Sequence, residues 1–161
     1  NNLKSSVINL SKQFPIKVIH QTGEKNIPFL SDFYSKNYVQ NKIFSFDKNF
    51  SSNIYEADLC ITRAGASTLA ELSVLNIPFI AVPLPTSKDN HQLENANFYK
   101  NNDCCWIIEQ NYFDEKIEDF LMDILSNKSN NKKKKQNLKK LNYQNSWINV
   151  NQKILKVINE N

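Results

Sequence analysis

The sequence predicts an α/β protein in which helices cover both faces of a parallel sheet. Short, continuous apolar segments alternate with segments of helical apolar spacing over residues 1–125. Strands that are apolar along their whole length are typical of a parallel sheet buried on both faces. The length of 161 residues suits a single core of ordinary size.

Each element rests on a local signal. Apolar residues from Leu3 to Leu10 have helical spacing, and Pro15 ends that segment before the first strand. The last helix of the domain places Phe113, Ile117 and Leu121 on one face. The predicted helices are 3–10, 28–35, 50–56, 67–75, 90–100 and 113–125. The predicted strands are 16–20, 42–46, 58–62, 77–82 and 104–108.

Composition changes after residue 125, so we divide the chain into an α/β domain, 1–125, and a polar, lysine-rich segment with a C-terminal amphipathic helix, 126–161. We expect the first strand of the α/β domain to be missing from the chain. The lysine run 132–135 is open to two interpretations: a solvated loop and helix face, or a basic patch near anionic lipid. The final helix is predicted from the apolar spacing between Trp147 and Ile158.

Charge and cysteine content narrow the classes of function. A net charge of +4 is too small to indicate a nucleic-acid partner. No apolar run approaches the roughly 20 residues that span a bilayer, and the N-terminus lacks a signal-peptide pattern, so we expect the chain in the cytoplasm or on its membrane face. Cys60, Cys104 and Cys105 lack metal-ligand spacing. We expect three buried free thiols and no metal site.

The first candidate site follows the strand 58–62. Gly65 is expected to permit a sharp turn and a close approach to a ligand. Ser67 and Thr68 then either cap the next helix or bind a ligand oxygen. The helix N-terminus favours an anion such as phosphate, and Arg63 adds positive charge. Glu71, one turn into the helix, suits a vicinal diol such as a ribose.

A second group of polar residues follows the strand 77–82. A Pro-Leu-Pro sequence ends that strand, and Asn90, His91, Gln92 and Asn95 open the next helix. Neighbouring strand ends with convergent polar groups are the expected form of a nucleotide-sugar pocket in an open parallel sheet. Taken alone, His91 is equally compatible with a surface or capping role.

Several segments, in order, resemble the C-terminal domain of the MurG family of UDP-N-acetylglucosamine transferases, which convert lipid I to lipid II in peptidoglycan synthesis. The resemblance covers roughly residues 1–125 and, more weakly, the last helix. The segments that carry it are 20–23 (HQTG), 46–47, 57–71 (including TRAGAST and Glu71), 78–83, 89–96 (DNHQ and NA) and 106–110.

The resemblance implies a role for each site residue. The main chain at Asp47 would pair with uracil, although family members usually carry a branched apolar residue there. Residues 66–68 would line the diphosphate or sugar side. Glu71 would hold the ribose hydroxyls, and His91 with Gln92 would reach the GlcNAc hydroxyls. Arg63 would mainly support its loop. The implied substrate-binding residues are Asp47, Arg63, Ala66, Ser67, Thr68, Leu69, Ala70, Glu71, His91 and Gln92.

The resemblance also implies the fold, the reaction and the cellular location. The fold would be the Rossmann-like donor half of a GT-B enzyme, and the reaction would be an inverting transfer of GlcNAc from UDP-GlcNAc to lipid I, without metal or cofactor. This chemistry serves cell-wall biogenesis, cell shape and cell division at the cytoplasmic face of the bacterial inner membrane. Lipid I would bind an N-terminal domain that precedes Asn1, so we expect no catalytic residue in this chain and no turnover by it alone.

Two alternatives remain open. In the first, the chain is a small UDP-GlcNAc-binding subunit of a two-chain split transferase. In the second, it is a non-catalytic nucleotide-sugar-binding module. A neighbouring gene for a membrane partner would favour the split enzyme, and upstream in-frame sequence with Gly-rich loops would favour a truncated one.

Overall fold

The structure, a computed structural model, describes residues 2–144, 146, 149–152 and 155–156. The helices are α1 (Asn2–Ser11), α2 (Ile27–Lys36), α3 (Phe50–Ile54), α4 (Ala66–Val74), α5 (His91–Asn101), α6 (Gln110–Ser126) and α7 (Lys128–Gln144). The strands are β1 (Lys17–Gln21), β2 (Gln40–Phe44), β3 (Cys60–Thr62), β4 (Phe79–Ala81) and β5 (Cys105–Ile107). The predicted order of helices and strands up to residue 125 is confirmed. The predicted helix around Trp147 and Ile158 falls largely outside the described residues.

All described strand pairs are parallel, as predicted, but they form two sheets. One sheet pairs β1 with β2, and the other has the order β3-β4-β5. The apolar pattern predicts individual strands and carries no information on which strands pair. The chain divides into two compact units, the first comprising Asn1–Ala57 with Ile108–Lys128 and the second Asp58–Ile107 with Ser129–Asn161.

The first unit packs helices onto the β1-β2 pair. Leu30, Tyr34 and Val39 form its buried cluster, because α2 turns one apolar face toward the strands. Asn9 of α1 donates a hydrogen bond to Glu118 of α6 at 3.2 Å. The predicted apolar face of α6 is confirmed, since its buried residues are Ile117, Leu121 and Ile124.

The second unit is built around β4, the central strand of its sheet. Phe79, Ile80 and Ala81 have no exposed surface, which accounts for their uninterrupted apolar sequence. Tyr99 of α5 packs edge-on against Phe79 with ring centroids 5.3 Å apart. The register places Thr62 of β3 opposite Ala81 of β4, so both strands end at one edge of the sheet.

Helix α7 belongs mostly to the second unit and is held there by polar contacts. Lys134 is only 4% exposed and lies 2.6 Å from the Asp103 carboxylate, with its ammonium over the Trp106 ring. Asn142 donates to the Ser73 carbonyl at 2.6 Å. Neither interpretation of the lysine run fits all of it, because Lys134 is a buried anchor within an otherwise exposed run.

The cysteines follow the prediction with one exception. Cys104 and Cys105 are buried, whereas Cys60 is half-buried. All three thiols are free, and burial raises the pKa of Cys60 and Cys105 to about 12 and that of Cys104 to about 11. Among the described residues, no helix combines the length and apolar character needed to cross a bilayer.

Candidate functional site

The turn between β3 and α4 leaves a helix N-terminus open. Gly65 is the N-cap residue, and no side chain caps the helix. The first bond of the helical ladder runs from the Leu69 amide to the Gly65 carbonyl at 3.0 Å. The amides of Ala66, Ser67 and Thr68 therefore precede the ladder and have no intrahelical acceptor. Capping by Ser67, one of the two predicted possibilities, is wrong, and the positive end of the helix dipole is available to an anion.

Gly65 does not make the sharp turn expected of it. Its backbone angles, φ −69° and ψ 134°, are open to any residue. A Cβ atom added there would meet no atom within 4 Å. Nothing in the described chain thus requires glycine at this position, whereas a ligand lying against the backbone would require it.

The turn before α5 contains two residues in the left-handed region. Asp89 has φ 50° and Asn90 has φ 54°, within a short 3-10 turn, Lys88–Asn90. Asn and Asp tolerate this region better than other side chains, but it remains costly. The turn places Nδ1 of His91 2.7 Å from the Lys88 carbonyl. Because a carbonyl only accepts, Nδ1 carries a proton, and Nε2 is the ring nitrogen left for a ligand.

The side chain of Gln92 is oriented by the backbone. Its Oε1 accepts a hydrogen bond from the Leu84 amide at 3.0 Å. This bond fixes the amide so that Nε2, with two donors, is directed away from Leu84. His91 and Gln92 consequently leave one ring nitrogen and one pair of amide donors for a ligand at the start of α5, a combination that suits sugar hydroxyls.

Hydrogen bonds join the two turns within the second unit. Asn95 of α5 donates to the Ala64 carbonyl at 3.1 Å, directly before Gly65. Arg63 donates to the Val82 carbonyl at 3.3 Å, which agrees with the loop-supporting role that the resemblance implied. Sequence reasoning noted Asn95 only as a match to a motif. Its role in joining the turns depends on a contact 31 residues away, which no local pattern reveals.

The remaining predicted residues of α4 differ in which of their groups could contact a ligand. Glu71 is the sixth residue of the helix and half-buried, so it lies beyond the first turn and is not a capping acid. Ala70 is exposed. Leu69 is 0% exposed, so only its main chain could contact a ligand. Among the described residues, no group of three or more His, Cys, Asp or Glu side chains is placed to hold a metal ion.

Asp47 lies in the first unit, between β2 and α3, and its carboxylate organises its own turn. One oxygen accepts from the Asn49 amide and the other from Asn53 Nδ2, both at 2.8 Å. The Asn49 hydrogen bond, followed by that from Asn53, lowers the pKa of Asp47. The side chain is thus used locally, which is compatible with a ligand contact through the main chain alone.

Comparison with known proteins agrees with this architecture. A crystal structure of Acinetobacter baumannii MurG superimposes with a TM-score of 0.75 at 24% sequence identity, covering 87% of this chain and 40% of that one. The parallel α/β fold is that of the Rossmann-like C-terminal half of a GT-B glycosyltransferase. Residues 2–147 match the glycosyltransferase family 28 C-terminal domain, and the chain belongs to that family.

Two curated relatives carry the same name, UDP-N-acetylglucosamine–N-acetylmuramyl-(pentapeptide) pyrophosphoryl-undecaprenol N-acetylglucosamine transferase. The protein of Pelagibacter ubique (strain HTCC1062) is 43% identical over 160 residues, which cover 99% of this chain and 45% of the relative. That of Rickettsia massiliae (strain Mtu5) is 35% identical over 122 residues, covering 75% and 32%. The chain therefore spans less than half the length of these relatives.

Proposed function

We propose that this chain is the donor-binding part of a glycosyltransferase that moves GlcNAc from UDP-GlcNAc to lipid I, forming lipid II for peptidoglycan. The observation that carries the proposal is the hydrogen-bonded pairing of the β3–α4 and β4–α5 turns through Asn95 and Arg63. This pairing keeps the uncapped N-terminus of α4 and the polar side chains of His91 and Gln92 at one edge of one sheet.

The open N-terminus of α4 is the proposed site for the diphosphate or the adjoining sugar. Departure of UDP leaves negative charge on the diphosphate, and the amides of Ala66, Ser67 and Thr68 are oriented before the reaction begins. Fixed donors directed at developing charge need no reorganisation, so they stabilise the transition state more than the ground state. Gly65 allows the ligand to lie close to this backbone.

Separate residues are proposed to recognise the two sugars of the donor. The Glu71 carboxylate accepts hydrogen bonds from two ribose hydroxyls, since an ionised carboxylate has two acceptor oxygens. Nε2 of His91 accepts from a GlcNAc hydroxyl, and Nε2 of Gln92 donates to an oxygen of the same sugar. The main chain at Asp47 is proposed to contact the uracil edge.

Acceptor binding and removal of the acceptor proton are assigned to the remainder of the longer relatives. We therefore expect this chain to bind donor without turnover, and we place the whole enzyme peripherally at the cytoplasmic face of the bacterial inner membrane. An inverting transfer requires a base for the acceptor hydroxyl, and none of the residues assigned here to the donor has that role.

Calorimetric titration with UDP-GlcNAc, using UDP-glucose and GDP-mannose as comparison ligands, tests the proposal. We expect selective binding of UDP-GlcNAc and at least a tenfold loss of affinity in Glu71→Gln, because one lost charged hydrogen bond corresponds to about 1.5–3 kcal/mol. Glu115→Gln, at an exposed position of α6, removes the same charge and should bind normally.

Equal affinity for all three ligands by the folded chain would contradict the donor assignment. Unchanged affinity in Glu71→Gln would remove the ribose role from Glu71 alone. Turnover of lipid I by the isolated chain would contradict the assignment of acceptor binding and proton removal to the remainder of the longer relatives.

A further inference from the structure

Residues 20–23 (HQTG) lead out of β1, and the proposed function assigns them no role. Because β1 and β2 are parallel, this turn and the turn that carries Asp47 leave the same edge of their sheet. The register pairs Gln21 with Phe44, the last residues of the two strands. The HQTG turn and the Asp47 turn are therefore neighbours within the first unit.

The end of β1 is held by two hydrogen bonds. Nδ1 of His20 lies 3.3 Å from the hydroxyl of Tyr34, a residue that is 1% exposed. The Thr22 amide donates to the Phe44 carbonyl at 2.9 Å, which extends the parallel ladder one residue beyond the strand. The position of Thr22 relative to the end of β2 is thus set before any ligand binds.

Side chains of this turn keep unused hydrogen-bonding groups. The hydroxyl of Thr22 and the amide of Gln21 have no hydrogen-bond partner among the described residues. Thr22 is half-buried and β-branched, so its hydroxyl has few orientations, whereas Gln21 is exposed. By contrast, both carboxylate oxygens of Asp47 are already bonded within their own turn. Thr22 therefore offers a positioned donor beside the Asp47 turn.

The edge of uracil needs one more donor than the Asp47 main chain provides. This edge has one N–H between two carbonyl groups. The main chain of a single residue has one N–H and one carbonyl, so it satisfies the ring N–H and one of the two uracil carbonyls. The other carbonyl loses a hydrogen bond to water on burial, and this loss weakens binding unless a further donor replaces the water.

We propose that the Thr22 hydroxyl donates to the uracil carbonyl that the Asp47 main chain leaves unpaired. This contact rests on the proposed function, because it completes the uracil site assigned to Asp47. Asp47 follows Phe44 by three residues, which span at most about 10 Å. A pyrimidine ring with a hydrogen bond of about 2.9 Å on either side bridges that distance. Thr22 contacts the base directly, whereas His20 acts only by fixing the turn.

Calorimetric titration of Thr22→Val and Thr22→Ser with UDP-GlcNAc and with UDP tests the proposal. Valine has the shape of threonine without the hydroxyl, so affinity for both ligands should fall by the same factor, about five- to tenfold. Serine keeps the hydroxyl and should restore most of the affinity. Ser45→Ala removes a hydroxyl from the other turn and should leave affinity unchanged.

The analogues 2-thio-UDP and 4-thio-UDP examine the two uracil carbonyls one at a time, because sulfur is a weak acceptor. We expect the natural chain to bind both analogues more weakly than UDP. In Thr22→Val, one of the two should bind as well as UDP does, because the contact that it would lose is already absent. A purely structural role of Thr22 would instead weaken UDP and both analogues equally.

The proposal is overturned by unchanged affinity in Thr22→Val, by a loss confined to UDP-GlcNAc, or by the same loss in Ser45→Ala. Equal weakening of UDP and both analogues in Thr22→Val also overturns it. Should Thr22→Val fail to fold, the natural chain decides, since an analogue that it binds as tightly as UDP excludes a donor at that carbonyl. Failure of the donor assignment has a different signature, because the natural chain then binds GDP-mannose as well as UDP-GlcNAc.

Discussion

The Leu84 amide donates a hydrogen bond to Oε1 of Gln92 at 3.0 Å, and this bond determines which end of the Gln92 amide faces a ligand. The two functions of the side chain, holding the loop and donating to a sugar, therefore reside on different atoms. A substitution that keeps the oxygen Oε1 and replaces the nitrogen Nε2 separates the two functions.

Gln92→Glu is expected to leave the fold intact and weaken donor binding. A carboxylate oxygen still accepts from the Leu84 amide, so stability should change by less than about 0.5 kcal/mol. The donor pair at Nε2 disappears, and affinity for UDP-GlcNAc should fall about 10- to 100-fold, the equivalent of about 1.4–2.8 kcal/mol. Chemical denaturation and calorimetry measure the two effects, with the exposed Gln13→Glu as the matched control. A variant that binds as well as the natural chain would rule out sugar recognition by Nε2.

Gly65→Ala should change stability little while impairing binding. The backbone angles of Gly65 suit alanine and its Cβ would meet open space, which stabilises, but alanine is a poor N-cap residue, which destabilises; the free energy of unfolding should therefore change by less than about 1 kcal/mol. The same methyl group would occupy the space proposed for the ligand, and we expect at least a tenfold loss of UDP-GlcNAc affinity. Gly23→Ala, also in open space, provides the stability comparison. Full affinity in Gly65→Ala would show that no ligand approaches this backbone closely.

Asn90→Val should destabilise the turn before α5. A β-branched residue at φ 54° costs about 1–2 kcal/mol, whereas Asn90→Gly removes that cost. Donor affinity should fall in the valine variant because the same turn positions His91. Thermal unfolding of the two variants, each compared with the natural chain, measures the difference. Equal stability of valine and glycine at this position would mean that the backbone is not left-handed there.

Asp103→Asn should destabilise the second unit by about 2 kcal/mol at neutral pH, since Lys134 would remain buried without its carboxylate. Hydrogen bonds from Lys134 and then Lys133 lower the pKa of Asp103 below its usual value near 3.8. The stabilisation is therefore complete above that value and is lost as the pH falls through the lowered pKa.

The natural chain should accordingly lose more stability than Asp103→Asn when it is acidified below about pH 4. Asp32→Asn breaks the exposed pair with Lys36 and should cost less than about 0.5 kcal/mol. Denaturation midpoints across pH 2–7 provide the measurement, and parallel curves for the natural chain and Asp103→Asn would refute the coupling.

Sequence patterns located the helices and strands because each leaves a local signature, as the continuous apolar run of β4 does. They also predicted that Ser67 and Glu71 lie in the helix after β3, and that His91 and Gln92 open the helix after β4. They did not reveal the division into two sheets, the hydrogen bond from Asn95 to the Ala64 carbonyl, or the burial of Lys134, because all three depend on contacts between distant positions. Gly65 was singled out for a sharp turn that its backbone angles do not make.

The contrast between Lys134 and its neighbours has a consequence for chemical labelling. Amine-reactive reagents modify accessible lysines, so Lys132 and Lys135 should be acylated quickly while the 4% exposed Lys134 is spared. Within this run of four lysines, Lys134 differs from Lys132 and Lys135 in its burial and in its ion pair with Asp103, and both protect its amine. Mass spectrometry of a single peptide gives the ratio of modification at Lys134 to that at its neighbours. This ratio reports whether α7 is packed against the rest of the second unit.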